Sequence, residues 1–258
     1  MADHDGRLLG PGDPPPFTVV NPLGTSPLLL IADHAGQAVP RALAGLGLPQ
    51  AELDRHIGWD IGIANTTRLL AQELDAVAIL QNYSRLVIDC NRQPEVPSSI
   101  AETSDHTRIP GNQSLNASAR QQRVAEIFQP YHDRIAAELN ARMNQKPSPV
   151  LIAMHSFTPS MAGIERPWHV GVLYHRDTRV ADHLLQALRA EPGLVVGDNQ
   201  PYAVSDDTDY AVPVHGERRG LRHVELEIRQ DPITNTDGQQ AWAQRMARLL
   251  RALPGLAR

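Results

Sequence analysis

Two histidines, each just past a short apolar run, are the residues of this sequence best suited to hold a catalytic metal: His34 follows Leu28–Ala32, and His155 follows residues 150–154. Together with one carboxylate they make the three-ligand set of an open zinc site, whose fourth position is left for water with a pKa lowered toward ~7. Asp60, in Gly58-Trp59-Asp60-Ile61-Gly62, is the expected third ligand, with helix capping as its alternative role. His56 is a rival for that place. Glu227 is the expected general acid and base, and Glu225 alternates onto the same strand face, so that either can fill the role. Two carboxylates on one buried strand are expensive to desolvate, which favours a site over plain packing. Arg85, Asn91 and Arg92 form a candidate anion grip, because guanidinium groups hold a carboxylate bidentately and an amide adds a donor. Arg229, two residues beyond Glu227, is counted with the substrate-binding set.

Other chemistries lack their parts. The sequence has no GxxxxGKS/T phosphate loop, no GxGxxG after the first apolar run and no GxSxG elbow. Cys90, the single cysteine, reads as a buried structural thiol rather than a nucleophile and suits a reducing compartment. A net charge of -5 implies no nucleic-acid or anionic-membrane partner. No apolar run approaches the ~20 residues of a membrane helix. The first sixteen residues are polar and Pro-rich, unlike a signal peptide; they are expected to be flexible, and the cytoplasm is the expected location.

The elements that must position these residues follow from hydrophobic periodicity. Apolar runs suited to buried strands occupy residues 27–32, 76–81, 86–89, 149–154, 169–174, 194–197 and 223–228. Segments of helical period run over 60–74, 178–188 and 238–253, and a stripe of Val124, Ile127, Phe128, Tyr131, Ile135, Leu139 and Met143 marks another helix. Strands and helices alternate across all 258 residues with no dividing linker, so the expectation is one α/β domain with helices on both faces of a sheet. Two long irregular stretches, 93–116 and 199–222, are expected to be functional or disordered. Ligands in such folds gather beyond the carboxyl ends of strands, where His34, Asn91, Arg92, His155 and Glu227 fall.

Five ordered strings carry a resemblance: Asp33-His34-Ala35-Gly36; His56 through Gly62; Asn82-Tyr83-Ser84-Arg85 through Asp89-Cys90-Asn91-Arg92; His155-Ser156-Phe157-Thr158-Pro159; and Glu225-Leu226-Glu227-Ile228-Arg229-Gln230-Asp231. From about residue 22 to 250 the chain resembles the N-formylglutamate amidohydrolase family, related to the zinc carboxypeptidases. The resemblance implies a three-layer αβα sandwich with a mixed, mostly parallel central sheet. It also implies a zinc ion on His34 and His155, a carboxylate grip at Asn91 and Arg92, a catalytic Glu227, and Arg85 polarising the scissile carbonyl. The implied substrate is a small carboxylate-bearing amide, an N-formyl or short N-acyl amino acid such as N-formylglutamate. A carboxypeptidase-like or cell-wall amidase activity on a larger peptide, and a non-catalytic anion-binding relative, are the alternatives. One departure stands out: carboxypeptidases use His-x-x-Glu, whereas His34-Ala35-Gly36-Gln37 ends in an amide. Either Asp60 replaces that glutamate, or the metal is weakly held or absent.

Overall fold

The structure, a computed structural model, describes residues 7–256. In chain order the first half contains β1 (Phe17–Val20), β2 (Leu28–Ala32), α1 (Gln50–Leu53), α2 (Ile63–Leu74), β3 (Val77–Gln81), a ribbon of β4 (Thr103–Ser104) and β5 (Thr107–Arg108), α3 (Ala117–Arg123) and α4 (Gln129–Arg142). The second half contains β6 (Val150–Phe157), a ribbon of β7 (Ser160–Met161) and β8 (Ile164–Glu165), β9 (Val170–Leu173), α5 (Arg179–Arg189), β10 (Val196–Asp198), β11 (Arg222–Arg229) and α6 (Thr236–Arg251).

Seven strands form one sheet in the order β1-β3-β2-β6-β11-β9-β10. β3, β2, β6 and β11 run parallel, β9 and β10 pair in parallel with each other, and only the β1–β3 and β11–β9 pairings are antiparallel. This is the mixed, mostly parallel sheet expected. Its central strands are buried on both faces, so they read as continuous apolar runs and not as alternations. Alternation returns in which layer each side chain joins. Leu28, Leu30, Ile152, Met154, Leu226 and Ile228 pack with α2, α5 and α6. Leu29, Ile31, Ile79, Leu151 and Ala153 pack with Tyr131, Ile135 and Leu139 of α4. Continuing that second parity brings up Asp33, His155, Glu225 and Glu227, so these candidate residues lie on the α4 face of the sheet. Among the described residues no helix is long and apolar enough to cross a membrane.

Three expectations change. Residues 86–89 are not a strand. Leu86, Val87 and Ile88 are buried in the core, but the carbonyls of Leu86 and Val87 accept from the side chains of Asn112 (2.8 Å) and Arg123 (2.8 Å) instead of a ladder. An apolar run signals burial, and burial can be met by side-chain donors in place of a neighbouring strand. The helix over 124–143 begins earlier, at Ala117, and carries a π turn at Val124–Phe128 where Gln129 N–H reaches back to Val124 O. Pro130 lies just past that turn and supplies no N–H of its own. Finally, residues 7–16 are anchored where a flexible lead was expected. Leu8 and Leu9 N–H donate to the Glu126 carboxylate (2.7 and 2.9 Å), and the Tyr83 hydroxyl donates to Pro14 O at 2.6 Å. The rest of that expected flexible segment, residues 1–6, lies outside the described residues.

Candidate active site

His34 leaves β2 on a turn that only glycine can complete. A Cβ on Gly36 would lie 2.0 Å from Asn82 O, because the chain past β2 is bonded against the chain past β3 through Ala38 N–Asn82 O (3.1 Å) and Ser84 N–Ala38 O (2.8 Å). Asp60 is brought to the same place by its own N–H, which donates to His34 O at 2.9 Å. Gly62, at φ 82° and pressed against Ile233 O, then turns the chain into α2. Asp60 is therefore not the helix cap; its Oδ2 accepts from Ser156 N–H at 3.0 Å and faces His155. His155 and Ser156 belong to β6 itself, which runs three residues past its expected end.

His34, Asp60 and His155 are all buried, and their ligand atoms lie within 4.8 Å of one another. Both histidines are oriented alike. His34 presents Nδ1 to Asp60 Oδ2 at 3.6 Å, while its Nε2 is 2.7 Å from Asp89 Oδ1. His155 presents Nδ1 to the same oxygen at 3.1 Å, while its Nε2 faces Asp33 Oδ2 at 3.4 Å. Asp33 Oδ1 in turn accepts from the Tyr131 hydroxyl at 2.6 Å. Carboxylates behind both Nε2 atoms leave both Nδ1 atoms as lone-pair donors toward one point, the arrangement in which a metal-binding imidazole is held. His34 Nδ1 is buried with no hydrogen-bond partner, a cost that a cation between the three groups would remove. The donor set fits zinc.

Burial works against every charge here, yet partners win at most positions. Asp33 and Asp60 are held below the usual carboxylate range by His155 and His34, and Asp89 by His34, Arg85 and Arg92. His34 is raised by Asp89 and Asp60 in spite of burial and the Arg85 charge; His155 is raised well above its ordinary value by Glu225, Asp33 and Asp60. At Glu225 and Glu227 burial prevails and pushes both carboxyls up, Glu225 to about 8, against the attraction of His155. Each keeps one buried carboxyl oxygen without a partner.

These groups border a cavity of about 430 Å³ whose wall includes His34, Asp60, Arg85, Arg92, His155 and Glu227. Arg85 is paired with Asp89 (2.8 Å) and lies 3.6 Å from Asp60. Both irregular stretches close over the cavity: Ser98, Ala101 and Asp105 come from one, Tyr202, Thr208 and Asp209 from the other. Asn91 lines the wall but serves the second of them. Its Oδ1 accepts from Tyr210 and Ala211 N–H (3.0 Å each), and its Nδ2 donates to Asp209 Oδ1 at 3.2 Å. Arg92 stands looser, 3.9 Å from Asp209.

Other candidates fall elsewhere. Arg229 does not line the cavity; its guanidinium is taken by Asp231 (2.6 Å) and by the carbonyls of Arg166 and Pro167. Gln37 is exposed, so the fourth position of the His34-Ala35-Gly36-Gln37 string contributes nothing and Asp60 stands beside the histidines instead. His56 reaches the wall but faces Asp105 at 3.4 Å. His215, in the second irregular stretch, is bonded to His132 (3.0 Å) outside the cavity. Cys90 is buried, and burial pushes its thiol far up, as a structural role requires. Asp33, Asp89 and Tyr131 were not singled out from sequence; adjacency to His34 was the only signal for Asp33, and Tyr131 looked like one more apolar residue of a helix stripe.

The profile of one protein family, N-formylglutamate amidohydrolase, matches residues 26–234. No curated protein matches the chain. Among solved structures, the gene product Atu2144 from Agrobacterium tumefaciens is 33% identical, with 95% of this chain and 97% of that chain covered and a TM-score of 0.91. The N-formylglutamate amidohydrolase from Ralstonia eutropha JMP134 shares the fold at 18% identity, with 91% and 95% covered and a TM-score of 0.67.

Proposed function

The chain belongs to the N-formylglutamate amidohydrolase family, and from that premise we propose that it hydrolyses an N-formyl or other short N-acyl amino acid to the free amino acid and a carboxylic acid, with zinc held by His34, Asp60 and His155. The observation that carries the reading is the pair of Nδ1 atoms aimed at Asp60, each histidine backed by its own carboxylate. A zinc ion bound there supplies Lewis acidity toward oxygen, which makes water a usable nucleophile near neutral pH. Glu227 takes the proton of the attacking water and returns it to the leaving nitrogen; a carboxyl raised by burial is suited to hold that proton between the two transfers. Arg85, kept charged by Asp89 and Asp60, faces the developing oxyanion. Arg92 holds a substrate carboxylate, and Asn91 holds the 209–211 segment that walls it in. A cavity of about 430 Å³ supports a small substrate over an extended peptide.

Metal analysis combined with a panel of N-formyl and N-acetyl amino acids tests the reading. About one zinc per chain is expected, with activity lost on chelation and restored by zinc. Glu227→Gln is expected to keep the metal and lower kcat by about 10²–10⁴-fold. Unchanged turnover in that variant, or full activity without metal, overturns the assignment.

A further inference from the structure

Most of the carboxyl groups that line the cavity are already engaged. Asp60 faces both histidines, Asp89 is bonded to His34 and Arg85, and Asp105 is bonded to Arg55. Asp209 accepts from Ser205 N–H (2.9 Å), the Thr208 hydroxyl (2.7 Å) and Asn91 Nδ2 (3.2 Å). Glu225 and Glu227 differ. Both line the cavity, both are buried, at 4% and 5% exposure, and each has a buried Oε2 with no hydrogen-bond partner. Neither forms an ion pair among the described residues, and neither belongs to the converging set of His34, Asp60 and His155. A buried carboxyl without a partner is costly, and a cationic donor brought by a ligand would remove that cost. Glu227 has a task as the proposed proton carrier; Glu225 has none.

Its position says what it would meet. Residues two apart on a strand share a face, so both carboxyls rise from the same side of β11, about 7 Å apart at Cα. Glu227 is in register with His155, and Glu225 with Ala153, whose side chain is a single methyl. Asp209, one of the charges that act on Glu225, lies 3.9 Å from Arg92. Glu225 is thus flanked by the proton carrier on its own strand and by the segment that faces Arg92.

Hydrolysis of a secondary amide joins its one N–H to the two protons of water, giving an ammonium and leaving a carboxylate. On the reading of the site as an acyl amino acid hydrolase, we propose that Glu225 binds the ammonium group of the newly released amino acid. That product is a zwitterion with its opposite charges a few bonds apart, and Glu225 and Arg92 take one each. The substrate carries no cation at this nitrogen, so the contact forms only as the amide is broken. The free amino acid is therefore held more tightly than the same molecule without its amino group, and it acts as a product inhibitor.

The test is calorimetric binding of L-glutamate, the amino acid released from N-formylglutamate, and of glutarate to the zinc-loaded protein near neutral pH. The two differ only by the amino group, so the ratio of their affinities reports the ammonium. The wild-type chain is expected to favour glutamate by about tenfold or more. In Glu225→Gln the ratio should fall to within about threefold of one, with glutarate bound no more weakly than before. Glu225→Met, which removes the polar end altogether, should behave alike. Circular dichroism and a thermal melt check that the variants are folded. Equal binding of the two by the wild type, binding of neither, or a preference that survives in the Glu225 variants overturns the proposal. A preference lost in Glu227→Gln instead overturns it too, because the ammonium then belongs to the proton carrier. Turnover of the acyl amino acid panel is scored separately: its absence refutes the reaction and leaves the binding ratio to decide on Glu225.

Discussion

An imidazole that donates one nitrogen to a metal needs its other nitrogen occupied, or ring and tautomer drift. Asp89 does this for His34 at 2.7 Å, Asp33 Oδ2 faces His155 Nε2 at 3.4 Å, and Tyr131 fixes Asp33 by a 2.6 Å hydrogen bond. Tyr131→Phe removes only that hydroxyl. Zinc affinity is expected to fall by about 10–100-fold, as for other losses behind a metal ligand. Stability should fall by about 1–3 kcal/mol, because Asp33 is left short of a donor inside the core. Competition titration against a zinc chelator and urea unfolding would measure both, and an unchanged zinc affinity would disprove the positioning role. At this scale the sequence displayed His34, Asp60 and His155, since polar residues that end or interrupt apolar runs are conspicuous. It did not display the supporting carboxylates, whose importance lies in which partners they have, and partnership is set in three dimensions.

At the scale of elements, the central strands and the helices that cover them were legible because burial imposes a period. The edge strand β1 was not read: Phe17–Val20 is only half buried and follows a Pro-rich lead. The 86–89 segment was misassigned because Arg123, 1% exposed, reaches in to satisfy a carbonyl that a strand neighbour would otherwise take. Junctions between elements depend more on close approach than on pattern, and Gly36 is the clearest case. Gly36→Ala would press a methyl into Asn82 O and push apart the chains leaving β2 and β3. A stability loss on the order of 1–3 kcal/mol is expected, with activity lost more steeply, since His34 stands two residues away. Urea denaturation beside a rate assay would show it; an alanine variant of wild-type stability would refute the packing claim.

Over the whole molecule, distant segments are tied by buried polar pairs as well as by apolar contact. His132 of α4 meets His215 of the 199–222 stretch at 3.0 Å and Cys90 O at 2.9 Å. Burial depresses both histidines from an ordinary 6.5, His132 to about 4 and His215 to about 3. The folded state thus refuses protons that the unfolded chain accepts below pH 6.5. Their contribution is fully present above that value and declines as pH falls toward the folded pKa values, by roughly 1.4 kcal/mol per pH unit for each histidine. His215→Asn should therefore be less stable than the wild type at pH 7.5, and the gap should narrow as the pH drops to 5. Urea unfolding at both pH values checks this; a gap that widens on acidification would contradict it.

The order of the strands has a consequence in time. β11, the last of the eleven, enters the middle of the sheet between β6 and β9 and carries Glu225 and Glu227. His34, Asp60 and His155 all lie before the end of β6, whereas β9 and β10 have no ladder to the rest of the sheet until β11 arrives. As the chain lengthens during synthesis, the three proposed ligands are therefore made before Glu227, the proposed proton carrier. Pairings this far apart in sequence are slow to form. On the roles proposed for these residues, a half-made molecule that held a metal would lack its proton carrier until the final strand closed the sheet.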